Sequence, residues 1–92
     1  MQVRVTKQAD KELAAILRWG AQHFGRAAAI DYYADMTRLI DLLATAPKMA
    51  PVVREDVRAH PYRSHVIIYR ERESRLDILH IRHGHSNWRK YL

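Results

Sequence analysis

The sequence predicts an α+β domain: a small, mostly antiparallel sheet, an N-terminal helical hairpin packed on one face, and a short C-terminal tail. Three observations point to it. Hydrophobic residues in the first half recur with a helical period, those in the second half alternate as in strands, and Pro47 and Pro51 stand where the period changes. The order is strand, helix, helix, strand, strand, strand, tail. With 92 residues this is read as one domain over 1–92.

In "QVRVT", Val3 and Val5 share one face and predict a short first strand. Thr6 is placed to cap the helix that follows. Ala9, Leu13, Ile16, Leu17 and Gly20 form its inner stripe, which leaves Lys11, Glu12 and Arg18 outside. "HFGR" interrupts the pattern at Gly25, and a second helix runs from about Arg26 to Thr45 with Ile30, Tyr33, Met36, Ile40 and Leu43 inward. A short Gly-containing break between two helices predicts an antiparallel hairpin. "APKMAP" ends it. "VVREDVR" is a short strand of modest quality, whereas "YRSHVIIYR" and "RLDILHIRH" are rich in β-branched and aromatic residues, with "ERES" as the tight loop between them.

Composition narrows the function classes. The absence of cysteine excludes disulfides and thiolate metal sites and fits a reducing compartment. No basic-then-apolar leader and no ~20-residue apolar span is visible, so a cytoplasmic protein is expected. The net charge is +6. Residues 52–92 carry nine basic and five acidic side chains and five of the six histidines, so the excess lies in the second half. Such a surface attracts phosphates or acidic protein segments.

The order of elements and several local signatures resemble the RelE/ParE superfamily of toxins from type II toxin–antitoxin systems, specifically its ParE branch. The matching pieces are Val5, Thr6, Ala9 and Leu13 at the start, the Phe24–Gly25 break, and Tyr62, Arg63 and Tyr69 in "YRSHVIIY". "LDILHIRHG" and the closing "HSNWRKYL" complete the set. The resemblance implies neutralisation by a small acidic antitoxin. It implies inhibition of DNA gyrase by binding for the ParE branch, and messenger-RNA cleavage in the ribosome for the RelE branch.

Four readings of the polar residues compete. A metal-independent ribonuclease needs a base, an acid and a cation at the phosphate; His83 or His85, Arg63 and Tyr91 are its candidates. A metal site built on His80, His83 and His85 is disfavoured, because His80 and His83 face opposite sides of a strand and only Asp77 is near to complete it. No metal or other cofactor is expected. Direct nucleic-acid binding through Arg54, Arg58, Arg63, Arg70, Arg72, Arg75, Arg82 and Arg89 is the lesser option, because no base-reading motif accompanies them.

Protein binding is preferred. Trp19, Tyr32 and Leu39 fall off the inner stripes and are read as an outer apolar patch for an antitoxin. Arg58, Arg63 and Arg82 suit its carboxylates. Trp88, Arg89, Lys90 and Tyr91 are read as the surface that contacts the target.

Overall fold

The computed structural model describes residues 1–92. Its elements are β1 (Gln2–Val5), α1 (Lys7–Phe24), α2 (Arg26–Thr45), a 3₁₀ turn (Pro47–Met49), β2 (Val52–Arg54), β3 (Val57–Tyr62), β4 (His65–Arg72), β5 (Arg75–His83) and a final 3₁₀ turn (Trp88–Tyr91). The strands form one sheet in the order β1-β5-β4-β3-β2, with β1 parallel to β5 and every other pair antiparallel. The expected α+β class, with a helical hairpin over a mostly antiparallel sheet, is what the chain adopts.

Local chemistry sets the helix ends where the sequence put them. Thr6 Oγ1 accepts from Ala9 N–H at 3.1 Å and donates to the Leu79 carbonyl at 3.1 Å, so one side chain caps α1 and ties it to β5. Gly25 ends α1 and begins α2 at φ 94°, backbone that side chains other than glycine rarely adopt. One such residue suffices to reverse the chain.

The strand count differs. "VVREDVR" is two strands, because Glu55 takes a left-handed φ of 53° and folds β2 onto β3. The expected strand starting at Tyr62 is likewise divided: Tyr62 ends β3, Arg63 turns at φ 52°, and β4 starts at His65. The sheet therefore has five strands where four were expected. The "ERES" loop closes β4 onto β5 with Glu73 and Ser74 both at positive φ, the geometry of a tight two-residue hairpin.

The main core lies between the hairpin and the sheet. Ala9, Met36, Ile40, Leu43, Ala44, Tyr62, Ile67, Tyr69, Leu76, Ile78 and Ile81 are buried there, with Leu13, Ile16, Tyr32 and Leu39 packed against them. The inner stripe of α2 is thus rotated from the expected one. Ile30 and Tyr33 are exposed at 57% and 44%. At 3.6 residues per turn Ile30 sits about 120° around the helix from Met36, whereas Tyr32 sits within about 40° of it. Glu12 was expected outside; it lies on the shoulder of the α1 stripe, against β5, with a side chain only 12% exposed.

Two buried hydroxyls pin this layer. Tyr62 donates to the Tyr32 carbonyl at 2.8 Å and Tyr69 to the Pro47 carbonyl at 2.7 Å. Burial raises both phenols above their ordinary value, so they remain donors. A second, smaller core forms on the outer face, where Trp88 covers Ala59, Val66 and Ile68. Central β4 is consequently apolar on both faces, which is why "VIIY" does not alternate. No helix is long and apolar enough to cross a membrane.

Candidate functional site

The end of the sheet where β3 turns into β4 collects the residues of most chemical interest. Arg63 occupies the turn in left-handed backbone, uncommon for a side chain of its size. Its guanidinium binds Asp35 Oδ2 of α2 at 2.6 Å and lies 5.4 Å from the ring centres of both Tyr32 and Tyr62. Two aromatic faces and one carboxylate hold a cation that is still half exposed. Asp35 also pairs with Arg38, one helical turn on. Nothing local marks the part Asp35 plays, since a lone aspartate on a helix reads as solvated surface.

Next to Arg63, a cleft of about 190 Å³ opens between the hairpin and this turn. Ile16, Trp19, Phe24, Ala28, Tyr32 and His65 line it. Trp19 and Phe24 stand at its rim, 54% and 69% exposed, with their rings 5.5 Å apart. His23 stacks on Trp19 at 4.1 Å. Phe24 was counted only as part of the helix break, yet a large apolar residue beside a turning glycine has nowhere to bury itself.

A row of histidines extends from this cleft. His65 pairs directly with His83 across β4 and β5, with ring centres 5.4 Å apart, and His83 lies 5.6 Å from His85. Tyr32 hydrogen-bonds His65 Nδ1. Burial keeps the Tyr32 phenol protonated, so it donates, and the His65 proton is assigned to Nε2. Burial, followed by the charge of neighbouring His83, lowers the pKa of His65. Gly84 holds the row against the β3–β4 turn: its N–H donates to the Ser64 carbonyl at 2.7 Å, and a Cβ there would lie 3.3 Å from that oxygen. His65 escaped the sequence reading because only strand register places it opposite His83.

Other candidates sit elsewhere. Tyr91 lies 4.8 Å from the Arg82 guanidinium, in a separate polar cleft with Arg54, Arg70 and His80, so the four nuclease candidates do not share one pocket. Arg58 donates to the Ala50 carbonyl at 2.6 Å and secures the 3₁₀ turn after α2. Leu39 packs against the main core, and Tyr32 is half-buried, so Trp19 alone of the apolar trio is outward-facing. Arg82 pairs with Glu12 at 2.8 Å. Trp88 is buried, while Arg89, Lys90 and Tyr91 are exposed, with Arg89 lying over the Trp88 ring.

The strand geometry also changes the histidine arithmetic. The β4–β5 register shifts between Ile68 and Tyr69, leaving Leu79 as an extra residue on β5. Alternation is broken there, so Asp77 faces the outer side while His83 faces the hairpin, where an unbroken strand would have put both on one face. No three or more His, Cys, Asp or Glu side chains are arranged to hold a metal ion.

Comparison with known proteins accords with this architecture. No curated protein matches the chain. A solved structure described as the chromosomal ParDE TA system from P. aeruginosa is similar in fold, with a TM-score of 0.78 at 22% identity over 90% of this chain and 95% of that one. The family model for the ParE toxin of the type II toxin–antitoxin system parDE matches residues 3–88, from the first strand to the buried Trp88. The chain therefore belongs to the ParE toxin family of type II toxin–antitoxin systems.

Proposed function

We propose that this toxin arrests growth by binding DNA gyrase in the cytoplasm, and that a small acidic antitoxin neutralises it. Family membership over residues 3–88 is the observation that carries the reading. The cleft beside Arg63 supports the antitoxin part. Trp19 and Phe24 offer exposed apolar area, and Arg63 offers a half-exposed guanidinium at the same edge, the combination an amphipathic acidic segment would engage. Arg89, Lys90 and Tyr91 are exposed on a turn anchored by Trp88, which suits them to contact a target.

A second reading rests on the histidine row. His65, His83 and His85 lie beside the Arg63 turn, and imidazoles next to a guanidinium are the groups that RNA cleavage by 2′-hydroxyl attack requires. Tyr91 lies outside that group.

Supercoiling by purified gyrase, run beside a translation reaction that follows messenger integrity, separates the two. Lost supercoiling or trapped cleaved DNA with intact messenger is expected. Cut messenger with normal supercoiling would replace the gyrase reading by the nuclease one.

A further inference from the structure

We infer that the groove on the sheet's outer face, between Trp88 and the β3–β4 turn, binds an acidic peptide segment that carries aliphatic side chains. The groove holds about 400 Å³ and lies across the sheet from the cleft of Trp19 and Phe24. Register builds its floor. On β3 and β4 Pro61 opposes Val66 directly, Ala59 lies two residues before Pro61 on the same face, and Val53 of β2 packs beside them. Trp88 closes the groove from the tail side.

Charge enters at the ends. Arg63 reaches the groove from the turn and Arg89 from the tail, and the imidazoles of His65 and His85 also line it. No Asp or Glu does. The carboxylate that holds Arg63 is Asp35, which is shared with Arg38, so two cations face one anion there. Arg89 lies over the Trp88 ring and takes part in no ion pair. Arg38 and Arg63 against Asp35 leave one positive charge, and Arg89 adds a second. An aliphatic floor is thus flanked by cations with no acid of the chain's own along it.

The lining selects the occupant. An apolar centre with arginine at its rim is the make-up of a protein interface. Guanidinium groups pair with carboxylates, and the floor takes the aliphatic side chains between them. Nucleic acid fits this lining less well. Trp88 is only 8% exposed and its ring already carries Arg89, which leaves the His85 imidazole as one exposed ring where a strand stacks successive bases. Phosphates also draw on backbone donors. Here Pro61 has none, and the N–H groups of Ala59 and Gly84 are engaged by the Pro51 and Ser64 carbonyls.

The two tryptophans report on the two surfaces separately, Trp88 in the groove and Trp19 in the hairpin-side cleft. A short peptide of alternating glutamate and valine is titrated into the isotope-labelled full chain while both indole signals are followed by NMR. The Trp88 signal should saturate at lower peptide concentration than that of Trp19. Arg89→Gln should weaken this binding at least roughly tenfold, whereas Arg26→Gln on α2 should leave it unchanged. The indole signals also show that each variant is folded. Polyglutamate, which lacks the aliphatic part, should bind more weakly. Saturation at Trp19 first, no movement of Trp88, an equal loss in both arginine variants, equal binding of polyglutamate, or tighter binding of a single-stranded RNA oligonucleotide would overturn the proposal. Neither gyrase nor antitoxin is present, so a failure here is distinct from a failure of the growth-arrest reading.

Discussion

Glu12 Oε1 of α1 accepts the backbone N–H of Ile81 at 3.0 Å. The contact solves a problem created by the first strand. Pairing of β1 with β5 stops at Ile78, because Thr6 turns the chain into α1, and the rest of β5 is left as an open edge. Glu12 covers that edge, and its other oxygen lies 2.8 Å from Arg82 Nε, with His80 Nδ1 at 3.4 Å from the first. A helix side chain thus does the work of a missing strand.

Replacing Glu12 by Ala leaves the Ile81 N–H and the Arg82 cation without a partner. A loss of about 1–3 kcal/mol in urea unfolding is expected. Glu12→Gln keeps an acceptor and should cost less. Equal losses would mean that the charge alone matters.

Gly25 sits at φ 94° with open space around the position of a Cβ. Any cost of Gly25→Ala therefore comes from backbone strain, of order 1–3 kcal/mol. For a domain of this size each kcal/mol lowers Tm by about 4–8 °C. A melt shifted by less than that would show that the hairpin tolerates another turn geometry.

Arg63 and Asp35 form an ion pair whose side chains are 54% and 38% exposed, so it contributes little to stability, about 0–1 kcal/mol. Arg63→Ala should barely alter the melt while weakening antitoxin binding at least roughly tenfold in calorimetry. An unchanged affinity would remove Arg63 from the proposed surface.

The tail separates structure from contact. Trp88→Ala exposes the second core and should cost about 3 kcal/mol or more in unfolding free energy. Tyr91→Ala and Arg89→Ala remove exposed side chains and should leave folding intact while relieving gyrase inhibition. Full inhibition by these two variants would move the target surface away from the tail.

His65 carries a pKa lowered by burial and by His83, so the unfolded chain takes up the proton more readily than the folded one. The stability associated with neutral His65 is fully present above the ordinary histidine value of about 6.5 and is lost as pH falls below it towards the folded value. Denaturation midpoints should decrease through that window, and His65→Gln should flatten the dependence there. Asp77 shows the same sign at lower pH: its stabilisation holds above the usual carboxylate range and disappears as pH drops through the depressed folded value.

Much of this was legible because it is local. Thr6 as a cap, Gly25 as the break and the prolines after α2 act within a few residues, and the sequence displays them directly. The α2 stripe was harder. Its spacing is helical in either of two registers, and only contact with the sheet decides that Tyr32 faces inward and Ile30 outward. The division of "VVREDVR" was missed for another reason: a left-handed glutamate carries no signal comparable to glycine.

By itself, then, the sequence determined the class of the fold, the helical hairpin and the excess of arginine in the second half, since propensity, capping and charge are properties of short segments. The tertiary structure alone decided which charges meet. Pairing β5 with both β1 and β4, and adding one residue at Leu79, put Asp77 among arginines on the outer face and His83 beside His65 near the hairpin. Register over a sheet is a long-range choice, fixed by how both faces pack, and no window of sequence contains it.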